Sequence, residues 1–158
     1  MIEVKDIVKS FDGRTVLHDV SATFHTGKTN LIIGQSGSGK TVLMKSLVGL
    51  LQPDSGSILF DGRDIVTMPG NDVKELRKEI GMLFQGSALF DSETVLGNVM
   101  FPLVMFTDKS REEMLERARF CIRRVNLAGT EDKYPSEISG GMQKRVAIAR
   151  AIALNPKY

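Results

Sequence analysis

A glycine-rich segment, GQSGSGKT at residues 34–41, constrains the fold more than any other part of the chain. It follows a short apolar run, TNLII at residues 29–33, and leads into a stretch with helical character, TVLMKSLVGLL at residues 41–51. Glycine lets the backbone curl so that successive N–H groups point into one concavity, and the N-terminus of the next helix adds positive partial charge. The sequence therefore predicts a phosphate-binding loop between a buried strand and a helix.

The fixed positions of this segment match the pattern G-x-x-x-x-G-K-[ST], which binds the phosphates of nucleotides. In this pattern the lysine, here Lys40, reaches the β- and γ-phosphates, and the hydroxyl of Thr41 is a ligand of Mg²⁺. The alternative is an ordinary Gly-Ser turn between a strand and a helix, for which a match at every fixed position would be a rare coincidence. The predicted nucleotide-binding residues are Gly34, Gln35, Ser36, Gly37, Ser38, Gly39, Lys40 and Thr41.

A second motif, ISGGMQKRVAIARAI at residues 138–152, begins a predicted helix with a serine and two glycines. Ser139 is a suitable N-cap, and an ordinary capped amphipathic helix would account for it. That interpretation does not account for Gly140 and Gly141, because glycine is unfavourable in the first turn of a helix. The N–H groups and the positive end of such a helix can instead face an anion.

Together with the phosphate loop, this motif resembles the signature of the ATP-binding-cassette (ABC) ATPases, usually written LSGGQ. The resemblance implies an ATPase that uses ATP and Mg²⁺ and forms a head-to-tail homodimer with a second ATPase subunit. Ser139, Gly140 and Gly141 would then complete the ATP site on the phosphate loop of the second subunit. Ile138 stands in place of the usual leucine, and Met142 stands in place of the usual glutamine.

The same resemblance implies roles for three further residues. Phe11 would stack on the adenine and Val16 would lie beside the ribose, although both could also be core residues of a strand. Gln85 would contact Mg²⁺ and the attacking water, and its alternative is a solvated turn residue at a strand end. Lys40 and Gln85 are therefore the predicted catalytic residues, and Thr41 and Gln85 are the predicted metal ligands.

The predicted fold class is α/β, a P-loop core with an N-terminal antiparallel β-part and a helical lobe that carries the signature. The ABC ATPase domain would span residues 1–158, with the β-part and core in 1–85 and the helical lobe in 86–158. The predicted strands are 2–11, 15–24, 29–33, 56–60 and 80–84, and the predicted helices are 41–51, 73–78 and about 140–154. Asp12-Gly13 is a turn signal that makes the first two strands antiparallel neighbours, and Pro53 is predicted to end the first helix.

A further helix is predicted to begin at Ser110, because Ser110 and Glu113 have the spacing of a capping box. Glu113 and Arg117 form a favourable i, i+4 pair. The predicted apolar stripe of this helix consists of Met114, Ala118, Cys121, Ile122 and Val125.

Composition limits the partners and the compartment. The net charge of +2 is too small to indicate nucleic acid as a partner, and the single cysteine, Cys121, is typical of a reducing compartment. The chain has no apolar run of membrane-spanning length, and its N-terminus lacks the pattern of a signal peptide. We expect a cytoplasmic protein that is peripheral on the inner face of the cytoplasmic membrane.

The segment FQGSALFDSETVLGNVMFPL, residues 84–103, lies where the integral membrane permease of an ABC transporter docks. This segment and the SGGM variant of the signature resemble the lipid-transport branch, the MlaF-like phospholipid ATPases. The alternatives are an importer of amino acids, methionine or another small solute, and a soluble ABC protein without a permease. The apolar residues of the segment could also form the core of the helical lobe.

In ABC ATPases the chain continues beyond the signature helix with an apolar strand that ends in Asp and Glu, which act on Mg²⁺ and the attacking water. No such residues lie between Ile152 and Tyr158. We therefore expect residues 1–158 to be a fragment of a longer ATPase, one that binds nucleotide without turning it over.

Overall fold

The computed structural model describes all 158 residues and divides the chain into two compact units, Met1–Arg77 and Lys78–Tyr158. The predicted division after residue 85 stays a prediction. The elements in chain order are β1 (Ile2–Phe11), β2 (Arg14–Phe24), α1 (Lys40–Leu47), β3 (Ser55–Phe60), β4 (Arg63–Asp64), α2 (Gly70–Lys78), α3 (Val95–Phe106), α4 (Arg111–Arg124), a 3₁₀ turn (Pro135–Glu137) and α5 (Gly140–Ala151). None of the helices combines the length and the apolarity needed to cross a membrane.

The strands of the first unit form an antiparallel sheet in the order β2-β1-β3-β4. Strands β1 and β2 meet at the Asp12-Gly13 turn, where Phe11 lies opposite Arg14, as the turn signal predicts. This arrangement confirms the predicted antiparallel β-part. The buried apolar side chains of the unit include Val4, Ile7, Leu17, Leu43, Leu47, Ile58, Phe60, Ile65 and Leu76.

Helix α1 ends at Leu47, earlier than predicted, because Gly49 takes the left-handed backbone conformation (φ 68°). The N–H of Gly49 donates to the carbonyl of Ser46 (3.0 Å), and the N–H of Leu50 donates to the carbonyl of Lys45 (2.9 Å). These two bonds form a Schellman motif, which satisfies the last carbonyl groups of the helix. The glycine, and not the proline further along the chain, therefore ends the helix.

Two segments predicted as buried strands, residues 29–33 and 80–84, are not strands in the structure. Leu31 is 82 % exposed, and neither segment joins the sheet. The N–H of Gly81 donates instead to the carbonyl of Tyr158 (2.8 Å). An apolar run shows that a segment favours burial, but the ladder that makes it a strand depends on the pairing of other segments.

The second unit is a helical lobe in which α3, α4 and α5 surround one core. The predicted stripe of α4 is confirmed in part: Ala118, Cys121 and Ile122 are buried, and Met114 and Val125 pack against the core from its edge. Burial raises the pKa of the Cys121 thiol. The core side chains are Val95, Val99, Leu103, Ala118, Cys121, Ile122, Leu127, Ile138, Val146, Ala149 and Ala153.

The predicted capping box at the start of α4 is confirmed. The N–H of Glu113 donates to Oγ of Ser110 (3.2 Å), and the N–H of Ser110 donates to Oε2 of Glu113 (2.8 Å). The hydrogen bond from the Ser110 backbone holds the pKa of the Glu113 carboxyl below its ordinary value. The predicted pair of Glu113 with Arg117 does not form, because Arg117 bonds to backbone carbonyls of Ile152 and Ala153.

Asn98 is a fully buried polar residue of α3 whose side chain holds the preceding turn. Its Oδ1 accepts from the N–H of Phe90 (2.8 Å), and its Nδ2 donates to the carbonyls of Phe90, Glu93 and Thr94 at 3.0–3.1 Å. The amide therefore replaces bonds that the turn would otherwise make with water.

Replacement of Asn98 by Ala should lower the free energy of unfolding by about 2 kcal/mol, because the buried amide is lost and the N–H of Phe90 loses its acceptor. Urea denaturation followed by circular dichroism would measure the change. Asn71→Ala, at an exposed position of α2, is the control and should have almost no effect. Equal stability of the two variants would contradict the role of Asn98.

A carboxylate in the first unit ties the loop before β3 to β1. Oδ1 of Asp54 accepts from Nζ of Lys9 (2.6 Å), and Oδ2 accepts from the N–H of Ser10 (2.7 Å). The hydrogen bond from the Lys9 side chain, and then the one from the Ser10 backbone, hold the pKa of Asp54 below its ordinary value of 3.8. Because the folded pKa is the lower one, the stabilisation is present above pH 3.8 and is lost as the pH falls through the folded pKa.

Replacement of Lys9 by Met should raise the pKa of Asp54 towards 3.8, since the largest contribution to the lowering is removed. Titration of the Asp54 carboxyl by NMR would measure it. Lys5→Met, on the same strand but paired with Glu3, should leave the Asp54 titration unchanged. An identical Asp54 titration in the wild type and in Lys9→Met would refute this account.

Candidate nucleotide-binding site

Residues 34–39 form a loop that leads directly into α1, and the side chain of Lys40 folds back over it. Nζ of Lys40 donates to the carbonyls of Gly34 (2.8 Å) and Gln35 (2.6 Å). The N–H of Ser38 donates to the carbonyl of Gln35 (3.2 Å), which closes the turn. The lysine charge is therefore held over the loop, where it can contact an anion that the loop encloses.

The positive end of α1 adds to this charge. The first turn of the helix contains no acidic residue, so no carboxylate neutralises the helix dipole there. Thr41 is exposed in this turn, immediately after Lys40. A phosphate group at the loop would meet backbone N–H groups, an ammonium and a hydroxyl.

Gly39 lets the loop approach the hairpin of β1 and β2. It is buried, caps α1 and has a φ of 90°. A Cβ at this position would lie 2.9 Å from Cδ2 of Leu17 and 3.2 Å from the carbonyl oxygen of Val16. The glycine is therefore required, and it brings Val16 to the base of the loop.

Phe11 ends β1 on the same hairpin, and 42 % of it is exposed. Nζ of Lys9 lies 5.5 Å from the centroid of its ring, a cation–π contact. Among the residues predicted to bind the nucleotide, Val16 contacts the loop at Gly39. Phe11 belongs to the same unit and has an exposed ring.

The predicted metal ligands are Thr41 and Gln85, a hydroxyl and an amide that both offer oxygen atoms. No group of three or more His, Cys, Asp or Glu side chains could hold a metal ion by itself. Thr41 belongs to the first unit and Gln85 to the second, and each offers one oxygen. Mg²⁺ that binds together with phosphates usually keeps several waters and takes one or two protein oxygens.

The signature motif forms the exposed N-terminus of α5. Oγ of Ser139 accepts from the N–H of Met142 (3.3 Å), which makes Ser139 the N-cap, as predicted. A Cβ at Gly140 would meet nothing within 4 Å, and one at Gly141 would lie 4.0 Å from Oγ of Ser139. The fold does not require these glycines, so their presence favours close approach by something outside the chain. Met142 packs against the lobe core.

Gln85 is exposed in the second unit and precedes three residues with left-handed backbone. The following carbonyl of Ser87 accepts from Nη2 of Arg150 (2.9 Å), a contact that the sequence analysis did not predict. Arg150 lies one helical turn after the buried Val146. The sequence signal for this contact was an arginine on the core face of α5, because a charge in such a position needs a specific partner.

Comparison with known proteins identifies the family. A family model described as "ABC transporter" matches residues 17–158. The "Probable ribonucleotide transport ATP-binding protein mkl" of Mycobacterium leprae is 43 % identical over 156 residues, which cover 99 % of this chain and 45 % of that protein. The "L-cystine transport system ATP-binding protein TcyN" of Escherichia coli is 42 % identical over 161 residues and is covered over 64 % of its length. The chain thus spans between about half and two thirds of these relatives.

Solved structures show the same fold. The dimeric post-hydrolysis structure of the ATP-binding cassette MJ0796 with ADP and Pi superposes with a TM-score of 0.89 at 32 % identity, over 99 % of this chain and 71 % of that one. The cbiO1 structure from Clostridium perfringens gives 0.88 at 30 % identity, over 98 % and 62 %. The predicted α/β ABC ATPase fold is therefore confirmed, and the chain belongs to the ABC transporter family as an ATP-binding domain.

Proposed function

We propose that this chain is the nucleotide-binding part of a subunit that hydrolyses ATP to drive a membrane transporter. The observation that carries the proposal is the loop at residues 34–39, with the Lys40 ammonium held over it at the N-terminus of α1. The exposed, N-capped SGG segment of α5 supports the ABC type of site.

Binding of ATP follows from these positions. The loop N–H groups and the α1 dipole receive the phosphates, and Lys40 exchanges the carbonyls of Gly34 and Gln35 for β- and γ-phosphate oxygens. Phe11 stacks on the adenine, and Val16 lies beside the ribose. The hydroxyl of Thr41 would hold Mg²⁺, which would supply positive charge to neutralise the phosphates.

A second copy of the subunit would complete each site. Ser139, Gly140 and Gly141 present exposed backbone at the start of α5, which suits the γ-phosphate of ATP bound to the other subunit in a head-to-tail homodimer. Gln85 would be the residue that orients the attacking water and offers an oxygen to Mg²⁺. The dimeric structures of MJ0796 support this assembly.

A permease partner is supported by exposed apolar side chains on α3. Phe101, Val104, Met105 and Phe106 are 40–58 % exposed, and we call these four residues the α3 surface. Apolar groups exposed together on one helix favour burial by a partner, here a cytoplasmic helix of an integral membrane permease. The protein would then be peripheral on the inner face of the cytoplasmic membrane.

We further propose phospholipid as the transported substrate, on the resemblance of residues 84–103 and of the SGGM motif to the lipid-transport branch. Import of an amino acid is the second candidate. It is favoured by the likeness to TcyN and to a "Methionine import ATP-binding protein MetN 1", which is 40 % identical. Stimulation of ATP hydrolysis in the purified transporter by phospholipid or by amino acid separates the two.

Replacement of Lys40 by Ala should weaken ATP binding about ten- to a hundredfold, the equivalent of one lost charged hydrogen bond to phosphate. Titration with a fluorescent ATP analogue in the presence of Mg²⁺ measures the affinity. Thr41→Ala should mainly reduce the gain in affinity that Mg²⁺ brings. Lys45→Ala, on an exposed part of the same helix, is the matched control. If Lys45→Ala were as damaging as Lys40→Ala, the loop would not be the phosphate site.

Replacement of Val104 by Glu should reduce recovery of the permease at least about tenfold, because an unpaired carboxylate would have to be buried in an apolar contact. Purification of the tagged protein from solubilised membranes, with mass spectrometry of what accompanies it, measures recovery. Phe120→Glu, on α4 and similarly exposed, is the control. Equal recovery of the permease with Val104→Glu and with the wild type would show that the permease does not contact the α3 surface. If the wild type recovered no membrane protein, a soluble ABC protein would be favoured.

A further inference from the structure

Arg150 is a half-buried charge in the last turn of α5. It follows Val146 by one turn and precedes Ala153, so it occupies the stripe that otherwise faces the core. Burial lowers the pKa of its guanidinium, which still remains charged because arginine stays protonated in proteins. A charge in such a place requires specific partners.

Both partners of Arg150 lie in the segment that follows Gln85. Nη2 donates to the carbonyl of Ser87 at 2.9 Å, and the guanidinium carbon lies 5.7 Å from the centroid of the Phe90 ring. The Phe90 ring in turn packs on Phe101 of the α3 surface, with the centroids 4.7 Å apart. The Arg150 side chain thus joins α5 to Ser87 and to Phe90, the two ends of a four-residue segment.

The backbone of this segment is unfavourable by itself. Gly86, Ser87 and Ala88 have φ values of 86°, 68° and 47°, and residues with a side chain rarely adopt this region. The backbone hydrogen bonds of this segment join residues that are close in sequence. The N–H of Ser87 donates to the carbonyl of Phe84, and the N–H of Ala88 donates to the carbonyl of Gly86. Such a conformation persists where the surrounding structure holds it.

We propose that Arg150 is a positioning residue, which fixes Gln85 relative to the signature helix and links both to the α3 surface. The hydrogen bond to Ser87 holds the carbonyl two residues after Gln85. The ring of Phe90, which contacts the tilted ring of Phe101, connects the α3 surface to the same guanidinium. The inference rests on the proposed function, because it takes Gln85 and the signature as parts of the ATP site.

Arg117 provides a matched comparison in the same lobe. Its Nε donates to the carbonyl of Ala153 (2.9 Å) and its Nη2 to that of Ile152 (2.8 Å), at the same end of α5. Its ring contact is with Phe120 of α4, not with Phe90. Removal of either arginine should weaken the attachment of α5, but only Arg150 bonds to Ser87.

Hydrogen–deuterium exchange of the 158-residue chain, read by mass spectrometry, tests the link. Arg150→Met should speed exchange in residues 84–90 about tenfold, because the opening of this segment loses a charged hydrogen bond as its restraint. Arg150→Lys should lie between the wild type and Arg150→Met. Arg117→Met should speed exchange at the end of α5 and leave residues 84–90 unchanged. Unchanged exchange in Arg150→Met, or an equal rise in every peptide of the lobe, would overturn the proposal.

Coupling to the α3 surface has its own readout. Phe101→Ala should speed exchange of residues 84–88 in the presence of Arg150 and add little in the Arg150→Met background. Strictly additive effects would show that the two contacts are independent, which contradicts the link. Nucleotide affinity measured on the same samples separates the two proposals: a wild type that does not bind ATP refutes the proposed function, whereas the exchange data decide the role of Arg150.

Discussion

The close contact of Gly39 with the β1–β2 hairpin is the constraint on which the nucleotide-binding unit depends. The absence of a side chain at this point allows α1 to begin against Val16 and Leu17. The start of α1 in turn decides where the loop N–H groups point and where Lys40 returns over the loop. A sheet that contributes no residue to phosphate contact therefore determines the direction of the whole phosphate site.

In the helical lobe, Phe90 is the residue where contacts from α3 and α5 meet. Asn98 of α3 holds its backbone N–H and carbonyl, Phe101 packs on its ring, and Arg150 of α5 lies over the same ring. Polar groups in a core are stabilising only when each finds a partner, and no buried side-chain nitrogen or oxygen in this structure lacks one. Side chains therefore hold the turn before α3, in addition to its own backbone bond from the N–H of Glu93 to the carbonyl of Phe90 (3.1 Å).

The sequence predicted best what depends on local chemistry. The Asp-Gly turn, the capping box at Ser110 and the N-cap at Ser139 all involve residues close together in the chain, and the structure confirms each. It predicted less well what depends on distant partners. Residues 29–33 are apolar without forming a strand, since pairing cannot be deduced from hydrophobicity.

Helix α3 was missed for a related reason. Its apolar residues occur on all sides, those of the core and those of the exposed α3 surface, so the spacing that marks an amphipathic helix is absent. The role of Arg150 was not predicted, because its partner, the Ser87 carbonyl, is a backbone atom that leaves no pattern in the sequence.

The length of α1 has a consequence for the order of folding. Eight residues are too few for a stable isolated helix, which usually needs about 12 to 15. Helix α1 therefore depends on the side chains of β2, which precede it in the chain and pair with β1 through a two-residue turn. During synthesis the hairpin can form first and act as a template, so that the capacity to recognise phosphate arises as a tertiary property and not as a property of the glycine-rich peptide.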